Sequence, residues 1–562
     1  MSRPHRARRE RRSNQPSGAA GAAGESRLSR RRVWALAVAV AVVAVVVYLP
    51  ALANTFTNWD DPGYVTENSH LGSFDAHFLT WAFTTFRQAG WNPLTWISLG
   101  IDHALFGLDP WGYHLTNVLL HGATTLAVVL LVGTLFSRAW NAFDGRVLVA
   151  AVVAGMIFAV HPLHVESVAW VSERKDVLFG LFYVVALLFY LRFTEHHRRA
   201  DYFASLGAFA LALLAKPMAV SLPLVLVILD VYLLGRFSKP GGIHVIVEKI
   251  PFVALGIASS VVTIMAQWHG GAVARHIGLG ERLWIAERAF GFYLAKTAWP
   301  TNLVPMYPLE SQFSPWRWDY LLSLALVLGA SLTAVVLRRR VPLVSALWAA
   351  YVAMLLPAVS IVLGEQAAAD RHMYLPLLVP AIGIAVAVVH VWQAGRKFQI
   401  AALAAAIVTA VALSVLTARQ IGVWRDTRAL WTWVIEKAPG AAMAHYNFGE
   451  YLREQGDLER AGQCWRRAAE LEPSFSWPLN QLGNLALLQG RVDEAHTYFE
   501  RATRVNMYDA EAQLNFANLL EEQGQLAEAR AHYEVFLRVA PPSKFAHLFS
   551  EIQAKLGMQA AP

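Results

Sequence analysis

The stretch VWALAVAVAVVAVVVYLPALA, residues 33–53, carries no charged side chain. A helix of this length crosses about 30 Å of hydrocarbon. Its last residues, Ala51-Leu52-Ala53, also fit the small-residue site of a cleaved signal peptide. The length of the run and the ten apolar stretches behind it favour a retained span. Those stretches fall near 114–136, 147–160, 175–192, 202–215, 218–235, 249–266, 320–337, 342–361, 373–392 and 400–417. The reading is therefore an all-α, polytopic membrane protein with about eleven transmembrane helices.

The loops give an orientation. If residue 32 is cytoplasmic, the inner loops are 137–146, 193–201, 236–248, 338–341 and 393–399. Each is basic, from Arg138 and Arg146 to Arg396-Lys397, as the positive-inside rule requires. An odd number of spans puts the C-terminus outside. Residues 281–300 are read as an amphipathic helix on the outer surface, with Trp284, Phe290, Phe292 and Tyr293 at the interface. The pair 202–215 and 218–235 is joined only by Lys216-Pro217, so a re-entrant hairpin is the alternative there.

The chain of 562 residues is 56% hydrophobic and 16% charged, with one cysteine. That excludes a disulfide framework. The net charge of +8 sits entirely in residues 1–32, which hold ten Arg and two Glu. A basic nucleic-acid-binding face is accordingly excluded, and the tail is read as disordered and cytoplasmic.

Beyond a linker helix at 419–439 a 34-residue period begins. Gly456, Gly490 and Gly524 recur at that spacing, as do Ala461, Ala495 and Ala529, and Trp465, Phe499 and Tyr533. Gly449, Gly483 and Ala517 hold the small early position. This is the tetratricopeptide pattern. Three repeats span 440–541, and a capping helix and tail fill 542–562. Such arrays bind peptides or proteins on a concave face.

Candidate chemistry lies in the first outer loop, 54–113. Asp60 and Asp61 adjoin the outer end of the first span. One can act as general base on an acceptor hydroxyl while the other orients it or holds a divalent cation. An exposed Asp-Pro-Gly turn is the alternative. His114, Asn117 and His121 share one helical face, and His161, His164 and Glu166 cluster where the third span exits. Zinc ligation is one option for His161, His164 and Glu166; structural hydrogen bonding and substrate binding are the others, for these three and for His114, Asn117 and His121. Arg174 and Lys175, Lys216 and Arg371 are cations on the outer side, against the usual bias. They fit an anionic ligand such as a lipid phosphate; internal pairing, of Arg174 with Asp176 and of Arg371 with Asp370 in the outer loop that also holds Glu365, is the alternative. The sequence has neither a P-loop nor a dinucleotide fingerprint. A lipid-linked phosphate donor suits chemistry at that face.

FTNWDDPGYV (56–65), NPLTWISLGIDHALFGLDPWGYHLTNVLLHG (92–122), HPLHVESVAWVSERKDVLFGLFYVVALLFYL (161–191), LAKPMAVSLPLVLVILDVYLL (214–234) and ADRHMYLPLL (369–378) resemble the transmembrane-and-tetratricopeptide-repeat O-mannosyltransferases and their bacterial relatives. Those belong to the type C glycosyltransferase superfamily. The resemblance implies an inverting enzyme of residues 33–418 that uses a polyprenyl-phosphate sugar, with catalysis and repeats on the non-cytoplasmic side. It makes Asp60 or Asp61 the base. Arg174, Lys175, Lys216 and Arg371 become candidates for the donor phosphate. The Ala/Arg-rich composition points to a bacterial inner membrane. A non-catalytic membrane-anchored repeat scaffold for envelope protein assembly is the competing reading.

Overall fold

The computed structural model describes residues 18–238, 242–269, 278–309, 314–359 and 366–557. Residues 1–17, Lys239 and Glu365 lie outside them. The first helix runs Gly18–Tyr48. Residues 18–32 therefore extend that helix instead of forming a disordered tail. Their alanines, arginines and leucine are good helix formers next to an already nucleated apolar helix.

Each of the eleven apolar stretches lies at least partly on a helix, though 342–361 outruns the helix Pro342–Leu355 and its last two residues lie outside the described ones. Among the described residues, six helices are long and apolar enough to cross a membrane, or seven if the bent pair Gly145–Val160 and Pro162–Ala169 is one span. Pro217–Tyr232, Pro342–Leu355 and Leu378–Gln393 are shorter apolar helices. The chain is a multi-pass helical membrane protein. Its strand content among the described residues is one antiparallel pair, with Tyr307 opposite Ala368.

Two X-Pro steps shape the end of the bundle where the charged residues gather. Proline disfavours helical backbone in the residue before it. His161 (φ −77°, ψ 131°) and Lys216 (φ −152°, ψ 130°) are accordingly extended, and each terminates a helix. The segment at 202–235 is thus two helices, Arg199–Ala215 and Leu222–Tyr232, hinged at Lys216. Residues 281–300 do form a helix, Leu279–Ala298. Its Tyr293, however, is buried against Ala369 and His372 and does not lie at a lipid interface.

The repeats pair Ala442–Glu454 with Leu458–Leu471, Ser476–Leu488 with Val492–Val505, and Ala510–Glu522 with Leu526–Val539. Pro542–Lys555 closes the stack. A Cβ on Gly449 would sit 2.5 Å from Trp465, so glycine lets the paired helices touch. Gly456, Gly490 and Gly524 take positive φ at the turns, which a side chain would oppose. The core of the membrane bundle continues into the repeats through Trp424, Leu430, Trp431 and Ala444.

Candidate active site

The chain leaves the first helix and turns back at residues 54–61, bringing the two aspartates under the ends of neighbouring helices. They do different work. Asp61 is 1% exposed and accepts four hydrogen bonds. Thr57 donates its amide (2.8 Å) and hydroxyl (3.1 Å), and Ser172 donates its amide (3.2 Å) and hydroxyl (2.5 Å). Burial pushes Asp61 up to about 6, against those bonds, which favour its ionised form. The Asp60 carboxylate has no hydrogen-bond partner among the described residues and is partly buried. Burial also raises its pKa, opposed by Lys175 and Arg371 and assisted by Glu173. Asp61 anchors the loop; Asp60 is the carboxylate left available.

Beside Asp60 stands a network of mixed charge. Glu173 is its hub, with Lys175 Nζ at 3.2 Å, Lys216 Nζ at 3.4 Å and Arg371 Nε at 3.3 Å. Lys216 also bonds Asp176 at 2.5 Å. Arg371 pairs with Glu166 through Nη1, and its amide donates to the same carboxylate at 2.9 Å. Burial opposes the charge on Arg371, but Glu166 and Glu173 hold its pKa above the ordinary arginine value. Burial, with Arg371 and Lys216 adding to it, depresses His372 and keeps it neutral. Lys175 bonds Tyr64 Oη at 3.2 Å and lies over the Tyr64 ring. Lys175, Lys216 and Arg371 thus converge, paired with carboxylates of this chain. The pairings are not the Arg174–Asp176 and Arg371–Asp370 contacts that adjacency in sequence invites.

The structure takes Arg174 away from this cluster. It is fully buried, and its guanidinium reaches Asp102 (2.6 Å), Ser98 (2.7 Å), the Tyr113 carbonyl (2.8 Å) and Asn117. Nothing remains of it for a donor phosphate. Asn117 also donates to the Val168 and Trp170 carbonyls. His121 bridges Tyr374 and the Ala159 carbonyl. His161 meets the Thr297 carbonyl, and His164 the Phe158 carbonyl. His114 is buried with neither ring nitrogen hydrogen-bonded. His121, His161 and His164 tie neighbouring segments together, and none of the four histidines is hydrogen-bonded to Asp60. Among the described residues no group of three or more His, Cys, Asp or Glu is placed to hold a metal. Nor do Asp60 and Asp61 fit a divalent cation together, because both Asp61 oxygens are engaged by donors.

Four tryptophans wall the site. Trp59 stacks on Trp170 at 4.7 Å, Trp170 on Trp424 at 5.0 Å, and Trp431 tilts against Trp59 at 5.2 Å. The Arg371 guanidinium lies 5.8 Å from the centroid of the Trp170 ring. Asn58 ties the loop to the repeats. Its side chain accepts from Trp431 Nε1 (2.6 Å) and donates to the Asn447 carbonyl (3.0 Å), and its backbone amide donates to Thr427 Oγ1 (3.0 Å). Replacing Trp431 with phenylalanine is expected to cost about 1 kcal/mol through the lost bond. Hydrogen exchange over 427–447 should speed up while the exchange of residues 174–196 stays unchanged.

Glu173, Trp170, Trp424 and Trp431 carry no role in the sequence reading, and Asn58 enters it only as the start of the stretch Asn58–Asp61. Glu173 had a signal: with Glu166 and Asp176 it is one of three acids within eleven residues where the third span exits. The tryptophans had none, since a tryptophan in an apolar helix reads as core.

Fold and site together define a multi-pass helical membrane protein with a buried acid–base cluster at one end and a tetratricopeptide solenoid docked beside it. Residues 93–268 match the family model described as dolichyl-phosphate-mannose-protein mannosyltransferase. Residues 414–474 and 480–544 match tetratricopeptide repeat. Among curated proteins, the chain is 32% identical over 214 residues to Protein O-mannosyl-transferase Tmtc2 of Drosophila melanogaster, 35% of this chain and 22% of that protein. It is 40% identical over 103 residues to Protein O-mannosyl-transferase tmtc2 of Xenopus laevis, 18% of this chain and 11% of that protein. It is 35% identical over 155 residues to Protein O-mannosyl-transferase TMTC2 of Mus musculus, 26% of this chain and 17% of that protein. The matched region spans less than a quarter of each of these relatives.

Proposed function

We propose that the chain is an integral membrane glycosyltransferase that moves a hexose, mannose by likeness to its relatives, from a polyprenyl-phosphate donor to a hydroxyl on an acceptor protein. The observation that carries this is the Asp60 carboxylate, free of hydrogen bonds among the described residues and facing Lys175 and Arg371. Asp60 takes the proton of the acceptor hydroxyl. The acceptor oxygen bonds to the anomeric carbon as the bond from that carbon to the phosphate oxygen breaks, with inversion. Polyprenyl phosphate departs with the bonding electrons. Its growing charge is met by N–H donors of Lys175, Lys216 and Arg371 that the carboxylates leave over. Asp61 holds the loop, and the Asn58–Trp431 contact sets the repeats beside the site to present the acceptor.

Burial raises Asp60 from 3.8, and a base must be ionised to act. Activity is therefore lost as pH falls through the raised value, and kcat/KM should show its acid limb above the ordinary aspartate range. Asp60→Glu should move that limb.

Contacts at one end support the eleven-span topology. Asp61 bonds Ser172, so two crossings separate the first loop from residue 172; Lys216 bonds Asp176, so two more lie between them. Lys216 and Arg371 share Glu173, which asks for an even number of crossings between them. Four follow if Leu279–Ala298 stays at that face, where its Thr297 and Tyr293 meet His161 and His372. Two last crossings bring Trp424 back to Trp59. With the basic loops cytoplasmic, site and repeats face the periplasm of a bacterial inner membrane. Cysteines placed at 70 and 480 should then be labelled from outside, and one at 196 should not.

The direct test of class is mass spectrometry of envelope proteins from cells with and without the gene. A hexose on peptides of the gene-bearing cells alone supports the transferase. Identical glycopeptides would leave the scaffold reading.

A further inference from the structure

The end of the bundle remote from Asp60 carries a groove of about 760 Å³ that belongs to none of the chemistry above. It lies between the helices Gly18–Tyr48, Gly145–Val160, Leu378–Gln393 and Arg396–Ile421. Leu36, Val152, Met156, Val388 and Ala406 are among its walls, and Thr409 is the one residue there with a side-chain hydroxyl. The last of the four helices presents alanines to neighbours carrying valine, isoleucine and methionine, and the missing volume is the groove. Unfilled apolar space forfeits dispersion contacts along its whole lining. A chain of methylenes restores them; water does not.

The mouth of the groove is polar in one sense only. Trp392 lines it, at the depth where tryptophan marks a membrane interface. Arg396 and Lys397 follow on the next helix, exposed and with no ion-pair partner among the described residues. Arg32, also exposed, lies one turn before Leu36 on the same helical face. Gly395 (φ 127°) starts the helix Arg396–Ile421 without a side-chain cap, so its first amides are open to an acceptor.

We propose that this groove holds one acyl chain of an anionic glycerophospholipid, whose phosphate sits at Arg396 and Lys397. The sugar donor is not the occupant. The helix Arg396–Ile421 has 26 residues and is roughly 39 Å long. A head group at Arg396 is thus in the leaflet opposite to Asp60.

Native mass spectrometry of the detergent-purified full chain, titrated with phosphatidylglycerol or phosphatidylcholine, tests this. One phosphatidylglycerol should be retained at least tenfold more tightly than phosphatidylcholine. The double variant Arg396→Gln, Lys397→Gln should bind the two lipids alike, and Ala406→Phe should weaken both. Equal retention of the two lipids by the unaltered protein would overturn the proposal, as would a double variant that keeps the preference. Displacement of phosphatidylglycerol by equimolar undecaprenyl phosphate would also overturn it, by assigning the groove to the carrier lipid.

Discussion

Asp60→Asn is expected to lower the rate of sugar transfer by about 10²- to 10⁴-fold, the range for loss of a general base. The thermal unfolding midpoint should not move. Both halves follow from the same observation: the carboxylate is near Lys175 and Arg371 but accepts no hydrogen bond among the described residues. Its neighbour is the control. Asp61 accepts from four donors, and asparagine would turn an amide N–H toward at least one of them. Asp61→Asn should therefore lower the unfolding midpoint, which Asp60→Asn does not. Unfolding followed by tryptophan fluorescence in detergent, beside a transfer assay, separates the two roles. Equal effects of both substitutions on stability would mean that Asp60 too is structural.

Arg174→Met is expected to destabilise the membrane domain by about 3–5 kcal/mol, because it leaves Asp102 buried and uncompensated. The pair is 2.6 Å apart, with side-chain exposures of 0% and 3%, so solvent screens little of the loss. The companion change Asp102→Leu in the same chain should recover much of it, since a buried ion pair replaced by apolar groups is often neutral. Shifts in the urea midpoint of the two variants check this. A single variant as stable as the parent would show that Arg174 is not held as described and would return it to the pool of phosphate-binding candidates.

The two halves of the architecture were legible in the sequence for a physical reason. Backbone groups in lipid have no water to bond, so each crossing must be an apolar helix, and residues 33–53 or 400–417 announce themselves. The repeats are legible because each must fit its neighbour in the same way, which forces Gly449, Trp465 and their equivalents to recur. The partners of the charged residues were not legible. Arg174 and Asp102 are 72 residues apart, and Arg371 finds Glu166 across 205; adjacency pointed each cation to the wrong acid. The same limit hid the inequality of Asp60 and Asp61, since half of the bonds that fix Asp61 come from Ser172, 111 residues away. The docking of Asn58 on Trp431, across 373 residues, had no local trace at all.

The central claim is that Asp60 activates a hydroxyl toward a lipid-linked sugar. Its most direct measurement uses the full chain in proteoliposomes, undecaprenyl-phosphate mannose labelled in the sugar, and envelope proteins from cells lacking the gene. The account predicts label on protein with the unaltered chain and almost none with Asp60→Asn, whose unfolding midpoint is unchanged. Label transferred by Asp60→Asn at the parental rate would contradict it.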